Sequence, residues 1–281
     1  MDLLKILVLS IVQGAAELLP VSSSAHVIVA EKIMGLDPTA PAMTLLLVML
    51  HTGTMFAVIA YFWKEWRLAY FSSMKVAVKN GAFLLYATAA TGVVGLSLQK
   101  AIKYFVAHNS PNFEIENLFG NSRLMAASLA AAGILIIVSS LSKPKPNGEL
   151  SIIPAIVIGA IQGLCLPFRG FSRSGATIST GLALGVARRK AEEFSFALAV
   201  VLTPVVIVKE VYRLYKHQSF SATLGSSDLV HMLTPGLIGM VFSFGAGLLA
   251  LRWLSKWLES GRWYFFGAYC LIASLVVLKI G

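Results

Sequence analysis

Long uninterrupted apolar stretches decide what this chain can fold into. A helix that crosses a bilayer needs about 20 predominantly apolar residues, and such runs occur near positions 42–63, 82–98, 122–141, 192–208, 235–254 and 263–280. Inside hydrocarbon every backbone N–H and C=O must be satisfied within the protein, which makes helices the solution for runs of this length. With 57% of 281 residues hydrophobic and 13% charged, the chain carries more apolar surface than one water-soluble core hides. The expected fold is all-α, a polytopic membrane helical bundle with about six full spans.

Two further apolar regions, 3–35 and 151–187, are interrupted by Pro, Gly, Ser and Arg. They are expected to be re-entrant broken-helix regions that enter the membrane and return to the side they left. Sliding the sequence by 149 positions pairs Ile11-Val12-Gln13-Gly14 with Ala160-Ile161-Gln162-Gly163, and Ser23 with Ser172. The chain therefore reads as a single integral membrane domain of two related halves, approximately 1–141 and 150–281.

A formal charge of +10 raises the question of nucleic acid. The Lys and Arg residues, however, sit mostly in short loops between apolar runs, where they set orientation in the bilayer, so no nucleic-acid partner is expected. Leaving out Arg169 and Arg173, twelve fall in 64–80, 142–150, 188–190 and 252–262, against nine on the other side with its flanking segments. The richer side should be cytoplasmic. Both termini then face outward, and the two halves form an inverted-topology repeat, a design familiar from transporters that bind a polar ligand between half-helices. Cys165 and Cys270 lack a Cys-x-x-Cys partner, so they are expected to be packing residues. The N-terminal segment has Lys5 as its only basic lead-in and carries Gln13 and Glu17 within the apolar run, so it is expected to be retained.

The broken regions hold the chemistry. Gln13 and Glu17 are four apart and share a helix face. Pro20 predicts a helix stop near Leu18 or Leu19. Ser22 or Ser23 is then placed to cap a second half-helix, with His26 one turn in and in reach of those serines. The second region, Pro167 to Thr177, repeats the plan with a break, a capping serine and a helix of small residues. Two helix N-termini, each worth roughly half a positive charge, together with Arg173 and Arg169 offer about two to three positive charges. That suits a diphosphate. Glu17 in an apolar helix and Arg173 between two serines are costly in a bilayer and mark function. The plainer alternative is that they pair to hold the halves together. His51 either lines the pocket or bonds a carbonyl, while His108, His217 and His231 fall in loops and should be solvated.

At these residues the sequence resembles the bacterial undecaprenyl-diphosphate phosphatases of the bacitracin-resistance type. The resemblance is carried by Glu17, Pro20-Val21-Ser22-Ser23-Ser24-Ala25-His26, Gly170-Phe171-Ser172-Arg173-Ser174-Gly175-Ala176-Thr177, and Gly185-Val186-Ala187-Arg188 followed by Glu193-Phe194-Ser195-Phe196. It runs from Val8 nearly to the C-terminus. Gln13 stands where the family has the first of two Glu residues, Ala25 replaces a Gly, Arg169 occupies a Pro position, and His51 sits where Gln is expected. A second membrane phosphatase family, whose Ser-Arg block would require a His at position 179, is excluded by Ser179.

The resemblance implies removal of one phosphate from undecaprenyl diphosphate, giving the monophosphate carrier lipid of cell-wall synthesis. It implies a divalent cation, magnesium or calcium, and a multi-pass protein of the bacterial cytoplasmic membrane whose site faces the outer side. Glu17, Ser23, His26 and Arg173 are the expected catalytic residues, with Glu17 also the cation ligand. Gln13, Ser22, Ser24, His51, Arg169, Ser172, Ser174, Gly175 and Thr177 are expected to bind substrate. Three nucleophiles stay open: Ser23 helped by His26, His26 itself, or water activated by Glu17. The implied partners are the polyprenyl diphosphate lipid and the surrounding membrane lipid, with a homodimer left open. The rival reading is a lipid-phosphate transporter or flippase using the same half-helix anion site.

Overall fold

The computed structural model describes residues 2–37, 41–105, 118, 121–142, 147–216 and 226–280. Among them are ten helices and no strand: α1 (Leu3–Leu18), α2 (Ser23–Ile33), α3 (Pro41–Phe71), α4 (Met74–Phe105), α5 (Ser122–Ser140), α6 (Ile152–Cys165), α7 (Arg173–Ala183), α8 (Arg188–Lys216), α9 (Ser226–Glu259) and α10 (Tyr264–Ile280). Five helices, α3, α4, α5, α8 and α9, are long and apolar enough to cross a membrane. The protein is thus a multi-pass helical bundle. The sixth expected crossing, 263–280, is the 17-residue α10, about 25 Å long at 1.5 Å per residue.

Several helices run past the apolar segments that define them. The basic loop expected at 64–80 shrinks to Ser72 and Ser73, because α3 continues to Phe71 and α4 starts at Met74. Lys64, Arg67, Lys75 and Lys79 therefore lie on helix ends. No Pro or Gly interrupts 64–80, and its Lys, Arg, Leu, Met and Ala favour helix. The Ser73 hydroxyl accepts from the Val76 N–H at 3.3 Å to start α4. Likewise α9 begins at Ser226 and carries Pro235 inside it, which places His231 in a helix and not in a loop. His108 and His217 lie outside the described residues.

Both interrupted regions break as Pro20 and the serines dictate. Helix α1 stops at Leu18, Leu19 turns extended with φ −73° and ψ 151°, and α2 starts at Ser23. Helix α6 ends at Cys165 and α7 starts at Arg173, with Ser172 at the N-cap. The pairs are similar in size, 16 and 11 residues against 14 and 11.

Helix α1 packs on α9 as α6 packs on α4, while α3 packs on α8 and α5 on α10. If the first five helices are matched in order to the last five, the first two contacts exchange and the other two map onto themselves. A buried cluster that includes Leu18, Ala25, Phe62, Leu129, Ile178, Phe196, Leu251 and Trp263 joins the halves behind the two breaks.

The α4–α6 contact depends on a missing side chain. A Cβ on Gly159 would sit 2.1 Å from the Ala87 carbonyl oxygen, and the Thr91 hydroxyl donates to the Gly159 carbonyl at 2.8 Å across the same contact. Small residues permit such approach between helices in lipid. Gly159→Leu is expected to destabilise the fold by about 2 kcal/mol or more, read as a lower midpoint of thermal unfolding in detergent; an unchanged midpoint contradicts this packing.

Candidate active site

The two breaks are tied to each other by reciprocal serine bonds. The Ser22 hydroxyl donates to the Arg169 carbonyl at 2.6 Å, and the Ser174 hydroxyl donates to the Leu19 carbonyl at 3.1 Å. Ser22 has φ +67°, the one positive φ outside glycine among the described residues. That geometry costs on the order of 1–3 kcal/mol and persists only where the surroundings enforce it. Here the hydroxyl is held by Arg169 and the carbonyl accepts from His26 Nδ1 at 2.8 Å. Ser22 therefore sits at the cap position of α2 without capping it, its side chain being used across the break. Ser172 does cap α7, accepting from the Gly175 N–H at 3.2 Å. A Cβ on Gly175 would lie 2.9 Å from Ile136 Cδ1 and 3.2 Å from Pro20, so glycine lets the two breaks close on each other.

Glu17 is the centre of the polar cluster so formed. Its Oε1 accepts from Arg173 Nη2 at 2.7 Å. Its Oε2 accepts from the Ser23 hydroxyl at 2.7 Å and from Gln13 Nε2 at 3.2 Å, with His51 Nε2 at 3.6 Å. The His51 Nδ1 lies 2.8 Å from the Leu47 carbonyl, so this histidine both bonds a carbonyl and faces the cluster. The Glu17 and Arg173 side chains are 17% and 20% exposed and His51 37%, so the cluster reaches the surface on the His51 side. The Arg173–Glu17 pair does link the halves, but it does so inside a group of hydroxyl, amide and imidazole. Arg173 Nη1 is buried with no hydrogen-bond partner. An unsatisfied buried donor costs about 1–3 kcal/mol.

Other expected site residues sit around this centre. Ser24 is half-buried on α2 beside Ser23. Thr177 is fully buried, its hydroxyl 2.8 Å from the Arg173 carbonyl and 2.6 Å from Ser195 Oγ, so it packs α7 onto α8. Arg169 is exposed, its carbonyl taken by Ser22 and its charge in range of buried Glu31. His26 lies apart from the Glu17 oxygens: the Ser23 proton points to Glu17, whereas His26 Nε2 is 2.6 Å from the Tyr269 hydroxyl. Tyr269 had no signal in the sequence, because α10 reads as one apolar run. The adjacent Cys270 is buried in the core as expected, and its thiol lies 3.2 Å from the Pro20 carbonyl.

Among the described residues no three His, Cys, Asp or Glu side chains stand together as a metal cage. The donors present are one carboxylate, Glu17, flanked by the Ser23 hydroxyl and His51 Nε2. This set fits a hard divalent ion that takes its remaining ligands from phosphate oxygens and water, as Mg²⁺ does. It does not form a closed protein site.

Fold and site together define a multi-pass helical membrane protein with a phosphate-compatible polar cluster between two broken helices. The family model described as bacitracin resistance protein BacA matches residues 6–276, and the chain belongs to that family. It is 62% identical over 282 residues to undecaprenyl-diphosphatase 2 of Acinetobacter baylyi, covering 100% of this chain and 98% of that protein. It is 32% identical over 296 residues to undecaprenyl-diphosphatase 1 of Burkholderia pseudomallei, covering 99% and 96%. With the undecaprenyl-diphosphatase of Parabacteroides distasonis the identity is 28% over 279 residues, covering 97% and 96%.

Proposed function

We propose that this chain hydrolyses undecaprenyl diphosphate to the monophosphate and inorganic phosphate, recycling the carrier lipid of cell-wall synthesis. The observation that carries this reading is Arg173, with one N–H on Glu17 and another buried and unpartnered, beside a Ser23 hydroxyl that donates to the same carboxylate. Full-length similarity to proteins named as diphosphatases supports the enzyme and does not favour the transporter.

In phosphoryl transfer charge spreads over the equatorial and leaving oxygens, so positioning and positive charge supply most of the catalysis. Arg173 Nη1, with the N-terminal turn of α7, binds the terminal phosphate oxygens. Competition from phosphate loosens Arg173 from Glu17 and frees that carboxylate to accept a proton. Ser23 Oγ then attacks the terminal phosphorus while its proton passes to Glu17 Oε2. The bond to the bridging oxygen breaks and its electron pair leaves with the lipid monophosphate. Water next cleaves the phosphoserine; the Glu17 proton returns to Ser23 Oγ and a water proton leaves with inorganic phosphate. Gln13 and His51 orient the carboxylate. Glu17, with the Ser23 hydroxyl and His51 Nε2 beside it, would hold a magnesium or calcium ion, which would supply further neutralisation of the diphosphate.

The packing exchange between α1–α9 and α4–α6, and the reciprocal Ser22 and Ser174 bonds, support an inverted repeat of two halves with re-entrant α1–α2 and α6–α7 pairs. Loop charge supports termini on the outer side, and membership of the family supports a site opening to the outer side of the bacterial cytoplasmic membrane, with the polyprenyl tail in the bilayer.

Single-turnover mixing with substrate labelled in the terminal phosphate tests the step. The expected result is acid-stable label on Ser23 that decays to free phosphate, with no label in Ser23→Ala. Free phosphate without covalent label moves the attack to water, and no phosphate from folded protein removes the enzyme reading.

A further inference from the structure

His26 is fully engaged by groups that fix which nitrogen carries its proton. Its Nδ1 faces the Ser22 carbonyl at 2.8 Å, and a carbonyl only accepts, so Nδ1 carries hydrogen. In the neutral ring Nε2 then has the lone pair, and it is 2.6 Å from the Tyr269 hydroxyl, which is the donor. The two rings lie near parallel, with centroids 5.6 Å apart and an interplanar angle of 15°. Helix α10 reaches this point from 243 residues away in sequence. It grips the α1–α2 break on two sides, at His26 through Tyr269 and at Pro20 through Cys270. Tyr269 is 45% exposed.

We infer that Tyr269 is a positioning residue, whose hydroxyl holds the His26 ring in one tautomer and covers its only lone pair. Two consequences follow from that geometry. His26 cannot attack phosphorus from this arrangement, because Nδ1 has no lone pair and Nε2 is already an acceptor. It also cannot take the Ser23 proton, which leaves Glu17 as the acceptor and gives His26 the task of holding the Ser22 carbonyl at the strained entrance to α2. The Tyr269 bond then matters for rate by keeping the α1–α2 break, and with it Ser23, in register with Glu17. This second consequence rests on the phosphatase reading; the tautomer assignment does not.

Tyr269→Phe removes the hydroxyl and keeps the ring. Diethyl pyrocarbonate acylates a free imidazole lone pair, and the site of labelling is read by mass spectrometry of the full-length protein in detergent. Labelling of His26 is expected to be about fivefold faster in Tyr269→Phe than in the wild type, the worth of one neutral hydrogen bond, with the His51 rate unchanged as a control for fold. Phosphate release is expected to show kcat about fivefold lower with KM within about twofold. Unchanged His26 labelling overturns the proposal whatever the turnover. Faster labelling with unchanged kcat removes the positioning role, since a ring needed only for packing is still present. Faster labelling in a protein whose wild type releases no phosphate leaves the tautomer assignment standing and refutes the phosphatase reading instead.

Discussion

Arg173→Lys is expected to lower phosphate release from a polyprenyl diphosphate by about 10²-fold, and Arg173→Ala by about 10³-fold or more. Lysine keeps the charge beside Glu17, so the fold survives, but it lacks the fork that reaches Glu17 Oε1 with one N–H and leaves another for a phosphate oxygen. Alanine does something further: it leaves the half-buried Glu17 carboxylate without its cationic partner, hydrogen-bonded only by Ser23 and Gln13, a loss of about 1–3 kcal/mol. The double variant Glu17→Gln with Arg173→Ala should regain part of that stability and none of the activity. Measuring unfolding in detergent beside turnover separates the two effects. If Arg173→Lys turned over at the wild-type rate, the guanidinium would not be binding the reacting phosphate.

The second large effect is expected at Glu17. Glu17→Gln preserves shape, but its one amide oxygen replaces either Oε1 toward Arg173 or Oε2 toward Ser23 and Gln13, not both, and it cannot hold the proton that Ser23 gives up. Turnover should fall about 10³-fold, within the range for loss of a positioned proton acceptor. KM should not rise, since Arg173 loses its charged competitor and is freer to bind phosphate. A variant with turnover within a few-fold of wild type would show that Glu17 serves only to pair Arg173. That outcome is the structural alternative already visible in the 2.7 Å contact.

The sequence made the framework legible because each signal was local. Pro20 stops α1 at Leu18, Ser172 caps α7, and Glu17 and Arg173 stand out as charges in apolar surroundings. What stayed hidden depends on contacts between distant segments. The Ser22 hydroxyl is bonded to Arg169, 147 residues on, in place of capping α2. His26 lies one helical turn from Ser22 and Ser23, yet its ring turns to the Ser22 carbonyl and to Tyr269 on α10. No periodicity in α10 distinguishes that tyrosine from its neighbours. Helix ends at 64–80 are equally hidden, because the charges there suggest a loop while the residues favour helix beyond the hydrocarbon.

The most direct test of the account is the initial rate of inorganic phosphate release by the purified chain. It is supplied with undecaprenyl diphosphate and magnesium or calcium, and compared with Glu17→Gln and Arg173→Lys shown to be folded. The account predicts steady release by the wild type and near-complete loss in both variants. Release from neither the wild type nor the variants with any cation, or equal release from all three, would contradict it.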